Sequence, residues 1–294
     1  MMKCSKGEKV FQYMNIFIML LIMACIILPL MNIFSLSVSD RIAVAQGQIG
    51  IFPVGFNIDA YLKILQNATF IRSLVNTVGI TVVGTALSVI IITMMAYAMS
   101  KKYFFGKKLV TYYMVVTMYF SGGLIPLYIL ITNYLKLGNT YSAYILPALV
   151  NVFYVIIIRS QIEAVPSELF DSASIDGATE MKILFNIVLP VIAPTIAAIS
   201  MFLALGKWNM WYSVLLYATD KKMWTLQFYL RSIVFESLLE FSTQTTGDVI
   251  GAKVIPAENL RMASIILVAL PIVAIYPFIQ KYFVKGILAG SVKG

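Results

Sequence analysis

The chain is 294 residues long, 60% hydrophobic and only 12% charged, with a formal net charge of +9. Soluble domains carry about 25% charged residues and could not bury this much apolar surface, so the composition excludes an ordinary globular protein and predicts an all-α, polytopic membrane protein. The positive charge fits lysines that flank membrane spans, and nucleic acid is not expected as a partner because no soluble basic domain is present.

The two cysteines and the absence of histidine leave little room for disulfide or metal chemistry. Cys4 lies in a polar N-terminal tail and Cys25 within an apolar run, so no disulfide is expected between them, and no metal site is predicted. The lysines of the tail resemble the start of a signal peptide. However, the apolar run that follows is too long for one and no A-x-A cleavage site follows it, so we interpret it as a retained membrane span.

Long runs without charged residues predict six transmembrane helices, because each run can cross a hydrocarbon core that needs about 20 residues. The predicted spans are residues 10–39, 73–100, 109–135, 137–158, 183–206 and 262–280. Six spans place both chain termini on one side of the membrane. Basic residues are about twice as dense in the segments that would then lie inside, which predicts that both termini face the cytoplasm, an N-in/C-in topology. Gly79 and Gly84, within the second run, predict close helix packing.

The segments predicted to lie outside the membrane on the opposite side also carry structure. Asp59–Leu65 has apolar residues at helical spacing and is expected to lie along the membrane surface. The aromatic residues of 208–219 fit an interfacial belt or the rim of a transport pathway, and the sequence leaves both open. Residues 220–261 are long enough to hold short helices and to contact an external partner.

The polar stretch at residues 166–190 interrupts the apolar second half of the chain. Its acidic residues, all of which precede its first lysine, are Glu168, Asp171, Asp176 and Glu180. Pro166 suits the first turn of a helix because it has no amide hydrogen to leave unpaired, and negative charge is favoured near a helix N-terminus. Under the predicted topology this stretch lies in the cytoplasm.

A turn and a second helix are predicted to follow within the same stretch. Asp176-Gly177 indicates the turn, because glycine adopts a positive φ without penalty. A helix from about Thr179 should continue into the fifth span, with a bend near Pro190 and Pro194. A short exposed helix, a glycine turn and a helix that enters the membrane could together carry the movement of a cytoplasmic partner into the bilayer.

The absence of ionisable residues from the predicted spans limits the classes of function that the chain could have. No ionisable residue lies inside any of the six charge-free runs, which argues against a membrane enzyme and against a proton-driven carrier. No GxxxxGK[ST] phosphate-binding loop is present, so energy for active transport would come from another subunit. A sodium symporter with broken helices stays open as an alternative, as does a membrane sensor or assembly scaffold that docks a cytoplasmic partner.

The spacing within the polar stretch resembles the EAA loop of permease subunits of binding-protein-dependent ABC importers. That family shows Glu-Ala-Ala, three residues, Gly, nine residues, Ile, one residue and Leu-Pro. The matching residues here are Asp171-Ser172-Ala173, Gly177, Ile187 and Leu189-Pro190. Every spacing is kept, and the departures are Asp for Glu and Ser for Ala at the first two positions.

Other motifs resemble the carbohydrate-uptake branch of the same family, and together the resemblance covers nearly the whole chain. Residues 166–168 with 175–178, and Trp208-Asn209 with Trp211, are similar to that branch. Residues 281–294 look like the tail of the smaller, maltose-type G permease subunit. Residues 121–126 are similar to a subgroup that handles complex oligosaccharides.

The resemblance implies a type I ABC importer transmembrane domain that passes an oligosaccharide or sugar derivative by alternating access and is not an enzyme. The implied partners are a second homologous permease, a cytoplasmic ABC ATPase dimer, an extracytoplasmic sugar-binding protein and the lipid bilayer of the cytoplasmic membrane. No cofactor is expected in this chain, since ATP and Mg would bind the ATPase. The implied ATPase-coupling residues are Glu168, Asp171, Ser172, Ala173, Asp176, Gly177, Leu189 and Pro190.

A substrate pathway is also predicted, with packing between helices or an interfacial belt as the alternative for each residue. Its candidates are Tyr119, Phe120, Tyr128, Asn151, Tyr154, Trp208, Asn209 and Trp211. The predicted organisation is an N-terminal span and outer loop at residues 1–71, a transmembrane core at 72–280 with a coupling loop at 163–190, and a cytoplasmic tail at 281–294.

Overall fold

The computed structural model describes residues 6–243 and 255–291, with side chains for 7–235 and 255–277. Within these ranges the regular structure is helical, apart from one isolated bridge between Ser39 and Phe56, so the predicted all-α class is confirmed. The α-helices are α1 (Lys6–Val38), α2 (Arg41–Ala45), α3 (Asp59–Leu65), α4 (Ala68–Ser100), α5 (Lys107–Tyr119), α6 (Leu124–Ile129), α7 (Tyr141–Ile145), α8 (Val152–Glu163), α9 (Ser167–Ile175), α10 (Glu180–Ile183), α11 (Leu189–Trp208), α12 (Tyr212–Tyr217), α13 (Leu226–Thr243) and α14 (Ala257–Ser291).

Four helical segments are long and apolar enough to cross a membrane unbroken, and the total reaches six if each of two bent pairs forms one span. The unbroken segments are Gly7–Val38, Ala68–Ser100, Glu180–Trp208 and Ala257–Pro277. The bent pairs are Lys107–Tyr119 with Leu124–Tyr134, at 107°, and Tyr141–Ala148 with Val152–Glu163, at 47°. The third and fourth predicted spans are therefore each a bent pair of helices, and the predicted number of six holds if each pair is one span.

Glycine and proline break the third run. Phe120 has an extended backbone, and Gly123 has φ +89, a left-handed value that ends any helix arriving from α5. Pro126 lies in the first turn of α6, where its missing amide hydrogen costs nothing. A π-helical segment, Leu130–Tyr134, completes the second half of the pair. The charge-free run therefore predicts the length of the apolar segment but does not reveal that the helix within it is interrupted.

Proline and asparagine break the fourth run in a similar way. After α7 the chain tightens into a 3₁₀ turn at Leu146–Ala148, which includes Pro147. Proline cannot donate a hydrogen bond to the preceding turn, so the α-helix does not continue. Asn151 then starts α8 as its N-cap, and its side-chain oxygen accepts a 3.0 Å hydrogen bond from the amide of Phe153.

The chain divides into two compact units, the first of which is Met1–Ala68 with Leu230–Pro271. Here the Asn259 side chain donates to the carbonyls of Leu36 and Ser39, at 3.1 Å each, and so joins α14 to the end of α1. Arg41 forms an ion pair with Asp59 at the start of α3. The helix predicted at Asp59–Leu65 is confirmed with the same bounds, and its placement along the membrane surface stays a prediction.

The second unit, Thr69–Tyr229 with Ile272–Gly294, holds two apolar clusters. The larger one packs α4, α5, α8, α9 and α11 together, and its fully buried members include Ile92, Val155 and Val188. The smaller one packs α4 with α7 and α12 around Ile80, Tyr144 and Val214. In a membrane, close van der Waals packing of these side chains stabilises the helix contacts, because lipid tails are as apolar as the side chains they surround.

Polar contacts fix the smaller cluster to α4. The Asn76 amide donates to the carbonyls of Lys222 and Trp224, at 2.8 and 2.9 Å, and its oxygen accepts from the Tyr141 hydroxyl at 2.8 Å. The Thr77 hydroxyl accepts from the Leu226 amide at 2.7 Å, which caps the start of α13. These bonds satisfy backbone groups that would be costly to leave unpaired away from water.

Candidate functional site

The polar stretch folds as a short helix, a turn and a second helix, and we refer to α9, the turn and α10 as the two-helix module. Pro166 directly precedes α9, with φ −55 and an extended ψ of 134, and the helix itself begins one residue later, at Ser167. Glu168 lies in the first turn, where its charge faces the positive end of the helix dipole. The predicted start and the placement of its first carboxylate are therefore confirmed to within one residue.

Gly177 makes the turn that the sequence predicted. Its φ is +70, a left-handed value that other residues adopt only with strain. The amides of Gly177 and Ala178 donate to the carbonyls of Ser174 and Ala173, at 3.1 and 2.9 Å, and so close the last turn of α9. A Cβ added at Gly177 would meet no atom within 4 Å, so the backbone conformation alone requires glycine here.

The second helix enters the fifth span through a widened turn. Thr179 caps α10, its hydroxyl accepting a 3.4 Å hydrogen bond from the amide of Lys182. A π-helical segment, Leu184–Val188, follows, and α11 begins at Leu189. Pro190 cannot donate to the carbonyl four residues earlier, which explains why the regular α-helix is interrupted just before it. The irregularity expected near Pro190 is thus a π-helical segment.

The module has an apolar inner face and an acidic outer face. Ala173 is buried, and Phe170 and Ala178 pack beside it on the larger apolar cluster. The carboxylates of Glu168, Asp171 and Asp176 are exposed, and none of them takes part in an ion pair among the described residues. The remaining candidate coupling residues are the exposed Ser172 and Pro190 and the half-buried Leu189. The exposed carboxylates are therefore available to a partner.

Glu180 differs from the other acidic residues of the module because it is already bound within the chain. Lys101 Nζ lies 2.6 Å from Glu180 Oε2, and the Tyr103 hydroxyl donates to Oε1 at 2.7 Å. The Tyr97 hydroxyl donates to Oε2 as well. The hydrogen bond to this carboxylate raises the pKa of Tyr103, which keeps the phenol a neutral donor. We refer to these four side chains as the Glu180 cluster.

The sequence contained Glu180 and Lys101 but no signal that they meet. From the sequence, the lysine counts among the basic residues that predict the orientation of the spans, and the glutamate among the acidic residues of the polar stretch. Lys101 also lies over two aromatic rings, 4.3 Å from the centroid of Tyr97 and 5.3 Å from that of Phe170. Only the folding of α4 against the module reveals this arrangement, because the two residues are far apart in the chain.

A second ionic cluster joins the start of α5 to the end of α8. Glu163 Oε1 lies 3.0 Å from both Lys107 Nζ and Arg159 Nε. The Arg159 guanidinium also donates to the Thr111 hydroxyl at 3.2 Å. Because Glu163 precedes α9 by only a few residues, this cluster fixes the helix from which the chain enters the two-helix module.

The predicted pathway residues of the third and fourth runs lie at the breaks in those runs. Tyr119 and Phe120 are largely exposed where α5 ends. Tyr128, in α6, stacks on Tyr217 with ring centroids 6.0 Å apart. Asn151 caps α8, and Tyr154 lies one turn later against Phe153, with centroids 5.8 Å apart. Positions that the sequence placed inside continuous helices therefore surround irregular backbone.

The predicted residues after the fifth span form a separate local group. The Asn209 side chain donates to the Leu205 carbonyl at 3.0 Å and accepts from Gln227 at 2.9 Å, so it closes the end of α11. Trp211 packs edge-on against Tyr212, with centroids 5.5 Å apart. Trp208 is buried, and its indole nitrogen has no hydrogen-bond partner among the described residues. These contacts assign local structural roles to Asn209 and Trp211.

Lys207 is a buried cation that the sequence analysis missed. It lies one residue beyond the fifth charge-free run, but α11 continues to Trp208 and the lysine is only 4% exposed. Its Nζ lies 3.4 Å from the Ala148 carbonyl, at the break in the fourth span, and the Ser88 hydroxyl approaches the same oxygen at 3.5 Å. A helix C-terminus attracts cations, which accounts for the position of this one.

Gly84 provides the space for the Lys207 side chain. A Cβ at Gly84 would lie 2.8 Å from Lys207 Cδ, so the close packing predicted at this glycine is confirmed. A Cβ at Gly79 would meet no described atom within 4 Å, so the described residues give no close packing at Gly79. The difference arises because the two glycines are five residues apart and face different sides of α4.

Comparisons with known proteins agree over nearly the whole chain. Residues 81–289 match the family described as "Binding-protein-dependent transport system inner membrane component". Protein LplC of Bacillus subtilis (strain 168) is 39% identical over 290 residues, which cover 99% of this chain and 97% of that protein. The polygalacturonan/rhamnogalacturonan transport system permease protein YtcP of the same organism is 37% identical over 281 residues, covering 95% and 96%.

A solved structure shares the fold as well. A chain in the crystal structure of a bacterial ABC transporter involved in the import of the acidic polysaccharide alginate superposes with a TM-score of 0.87 at 27% identity. The match covers 96% of this chain and 100% of that chain. The chain therefore shares its overall fold with a chain of a solved ABC transporter.

Proposed function

The chain belongs to the family of inner membrane components of binding-protein-dependent transport systems, and we propose that it is the permease subunit of an ATP-driven oligosaccharide importer. As a member of this family it is a multi-pass protein of the cytoplasmic membrane and a transport component rather than an enzyme. The family match favours an importer over the sodium symporter and over the sensor or scaffold that the sequence had left open.

The substrate that we propose is an oligosaccharide, with fragments of acidic polysaccharides as the first candidates. YtcP is named for polygalacturonan and rhamnogalacturonan, and the solved relative imports the acidic polysaccharide alginate. A binding protein outside the membrane would deliver the sugar, as the family description implies. A second, homologous permease would complete the pathway, and alternating access would move the sugar through it.

Coupling to ATP hydrolysis would occur at the two-helix module, which under an N-in/C-in topology lies in the cytoplasm. The observation that carries this proposal is the division of the module into a buried apolar face and an exposed face with three carboxylates free of ion pairs in the described part of the chain. Such a face suits a basic groove on an ATPase subunit. ATP and Mg would bind to the ATPase dimer, and its closure would move α9 with respect to the membrane.

The candidate coupling residues divide into two groups by the chemistry of their side chains. We propose that Glu168, Asp171, Ser172 and Asp176 contact the ATPase, because their polar side chains are exposed. The shape of the module would instead depend on Ala173, Gly177, Leu189 and Pro190.

For the pathway, the exposed aromatic residues Tyr119 and Phe120 at the break of the third span are the strongest candidates for contact with sugar, because aromatic faces suit the apolar faces of sugar rings. The domain boundaries predicted from the sequence remain part of the proposal, and the last residues of the tail, 292–294, lie outside the described residues.

The coupling proposal is tested by a glycine substitution with a matched control. Gly177→Val places a β-branched residue at φ +70, whereas Gly47→Val does the same at φ +67 in the first unit, and neither added Cβ meets another atom. Each carries a similar backbone strain of about 1–3 kcal/mol. We expect only Gly177→Val to lower both the amount of ATPase that co-purifies and the ATP-dependent uptake of sugar in cells that also express the ATPase, the second permease and the binding protein.

Uptake is measured with labelled oligogalacturonides, alginate oligosaccharides and neutral malto-oligosaccharides as probes. ATP-dependent uptake of any of them by the wild-type importer supports the proposed function, and preference for an acidic probe supports the substrate class. Normal uptake and normal ATPase recovery with Gly177→Val would contradict the coupling role of the module. Sodium-dependent uptake by the chain alone, without ATP, would contradict the importer.

A further inference from the structure

Lys101 contacts both helices of the two-helix module. Its ammonium group binds Glu180, the first residue of α10, at 2.6 Å, and lies 5.3 Å from the ring centroid of Phe170 in α9. Lys101 itself directly follows α4, which is one of the unbroken membrane spans. A single side chain at the end of the second span therefore touches the module on both sides of the Gly177 turn.

The contacts of Glu180 strengthen this connection. The carboxylate receives hydrogen bonds from Lys101, Tyr97 and Tyr103, and all three come from the end of α4 or the loop that follows it. Hydrogen bonds to a charged acceptor are stronger than neutral ones, and a carboxylate held by three donors has little freedom to move. The Lys101 side chain is 16% exposed and the Glu180 side chain 52% exposed, so water screens the lysine side of the pair less than it would on an open surface.

The Glu180 cluster also differs in kind from the outer face of the module. Glu168, Asp171 and Asp176 point outward and take part in no ion pair among the described residues, whereas Glu180 uses both of its oxygens within the chain. It is therefore poorly placed to bind an ATPase and well placed to hold the module to α4. The apolar contacts of Ala173 and Phe170 beside it resist separation but do not fix the direction of the module, because they are not directional.

We infer that the Lys101–Glu180 pair is the link that passes movement of the coupling helix to the second membrane span. This inference rests on the function proposed above, since it assigns a positioning role to two residues that contact neither ATP nor sugar. In this arrangement α9, α10 and the end of α4 move as one body when the ATPase closes. Loss of the pair would leave the ATPase bound to the module but would weaken the conversion of ATP hydrolysis into transport.

Transport by the complete importer tests the inference, with both permeases, the ATPase dimer and the binding protein in proteoliposomes. The variants are Lys101→Met, Glu180→Gln and the charge exchange Lys101→Glu with Glu180→Lys. The control is Lys102→Met, an exposed neighbour outside the cluster. We expect the single variants to lower the sugar imported per ATP hydrolysed by at least about fivefold, the lower end of allosteric coupling between sites. The charge exchange should recover most of this loss, and Lys102→Met should match the wild type.

A measurement that needs no substrate separates this inference from the proposed function. Spin labels at positions 102 and 175, both exposed, report the distance between the end of α4 and the end of α9 after the two native cysteines are replaced by serine. We expect the same narrow distance distribution without nucleotide and with ATP plus vanadate in the wild type. In Glu180→Gln the distribution should broaden or shift when the ATPase closes.

Several results would overturn the link. These are a wild-type distance that changes when ATP binds, a coupling ratio within about twofold of wild type in both single variants, or a charge exchange no better than its components. Loss of the ATPase from Glu180→Gln complexes would also overturn it, because it would place Glu180 in the docking surface. A wild-type importer that takes up none of the sugar probes would contradict the proposed function. The spin-label distances would still test whether the Lys101–Glu180 pair links the module to α4.

Discussion

Two lysines of the second unit sit at helix ends in contrasting surroundings. Lys101 follows α4 and has a carboxylate at 2.6 Å and two aromatic rings beside it. Lys207 lies in the last turn of α11, is almost completely buried, and has a backbone carbonyl at 3.4 Å as its acceptor. The charge of Lys101 is paired with a carboxylate, whereas the charge of Lys207 is buried beside a neutral carbonyl group. The contrast shows that the contribution of a membrane-proximal cation to stability depends on the groups it contacts and cannot be inferred from its position alone.

The largest effect is expected where the buried lysine has the least space. Gly84→Leu inserts a branched side chain at a point where even a Cβ would lie 2.8 Å from Lys207 Cδ. We expect it to lower the free energy of unfolding by about 3 kcal/mol, because neither α4 nor α11 can move without disturbing the core between them. Thermal unfolding of the purified complex in detergent measures the loss.

Gly79→Leu is the matched control, since the same side chain there would meet no described atom close to its Cβ. Its unfolding midpoint should stay near that of the wild type. Leucine favours a helix over glycine by up to about 1 kcal/mol, so helix propensity alone would produce a gain in both variants. Equal losses in the two variants would show that the space around Lys207 does not set the cost, and the picture of a lysine packed against Gly84 would be wrong.

The same substitution at both lysines gives the sharpest comparison. Lys101→Met should destabilise the protein by about 1–2 kcal/mol, because it leaves Glu180 charged and without its cation. Lys207→Met keeps the packed stem and removes a charge with one long hydrogen bond, so we expect no loss and a gain of up to about 1 kcal/mol. Differential scanning calorimetry of both variants in one detergent tests whether Lys101→Met lowers the stability while Lys207→Met leaves it unchanged or raises it. A clear loss from Lys207→Met would show that its contact with Ala148 stabilises the broken span.

The smallest effect is expected at the cluster that joins α5 and α8. Glu163→Gln removes a carboxylate that is 40% exposed and is shared by Lys107 and Arg159. The expected loss is about 0.5 kcal/mol at low salt, and it should nearly disappear at high salt, because exposed ion pairs are screened. Asp176→Asn, which removes an exposed carboxylate free of ion pairs in the described residues, is the control and should cost nothing measurable. A loss that persists at high salt would indicate that Glu163 holds α8 by packing instead.

The sequence predicted the two-helix module better than any other region because its signals are local. The turn was predicted from the ability of Gly177 to adopt a positive φ, the first helix from the missing amide hydrogen of Pro166, and the second helix was placed from about Thr179; each lies within one residue of its expected place. A cap or a turn requires only neighbours in the chain. Such features can be inferred without knowledge of which helices pack together.

The breaks in the third and fourth spans were missed for a different reason. Their causes, Gly123 and Pro147, were visible in the sequence, but a search for charge-free runs counts both residues as compatible with a membrane span. In lipid, interrupted helices persist only where other parts of the protein satisfy the freed backbone groups. The Lys207 contact to the Ala148 carbonyl is one such compensation, and it depends on the packing of α4, α8 and α11.

The Glu180 cluster and the burial of Lys207 could not be predicted from a single chain at all. Each requires two distant helices to meet at a particular angle, and nothing in the composition of either helix specifies that angle. Six of the eight predicted coupling residues are exposed, and the carboxylates among them, Glu168, Asp171 and Asp176, are free of ion pairs in the described residues, which is what a docking role requires. The predicted pathway residues instead proved to be separated into local groups, several of them with structural contacts of their own.

The π-helical segment Leu184–Val188 has a consequence for how the module can evolve or be redesigned. A π-helical turn holds one residue more than an α-helical turn, so it acts as an insertion absorbed inside a continuous helix. Deletion of one residue from this segment, with Pro190 replaced by a residue that has an amide hydrogen, would restore α-helical geometry and rotate everything on its N-terminal side by about 100° with respect to α11. The acidic face of α9 would then point in a new direction while the membrane span stayed in place, so two changes near Pro190 would reorient this surface without altering its chemistry.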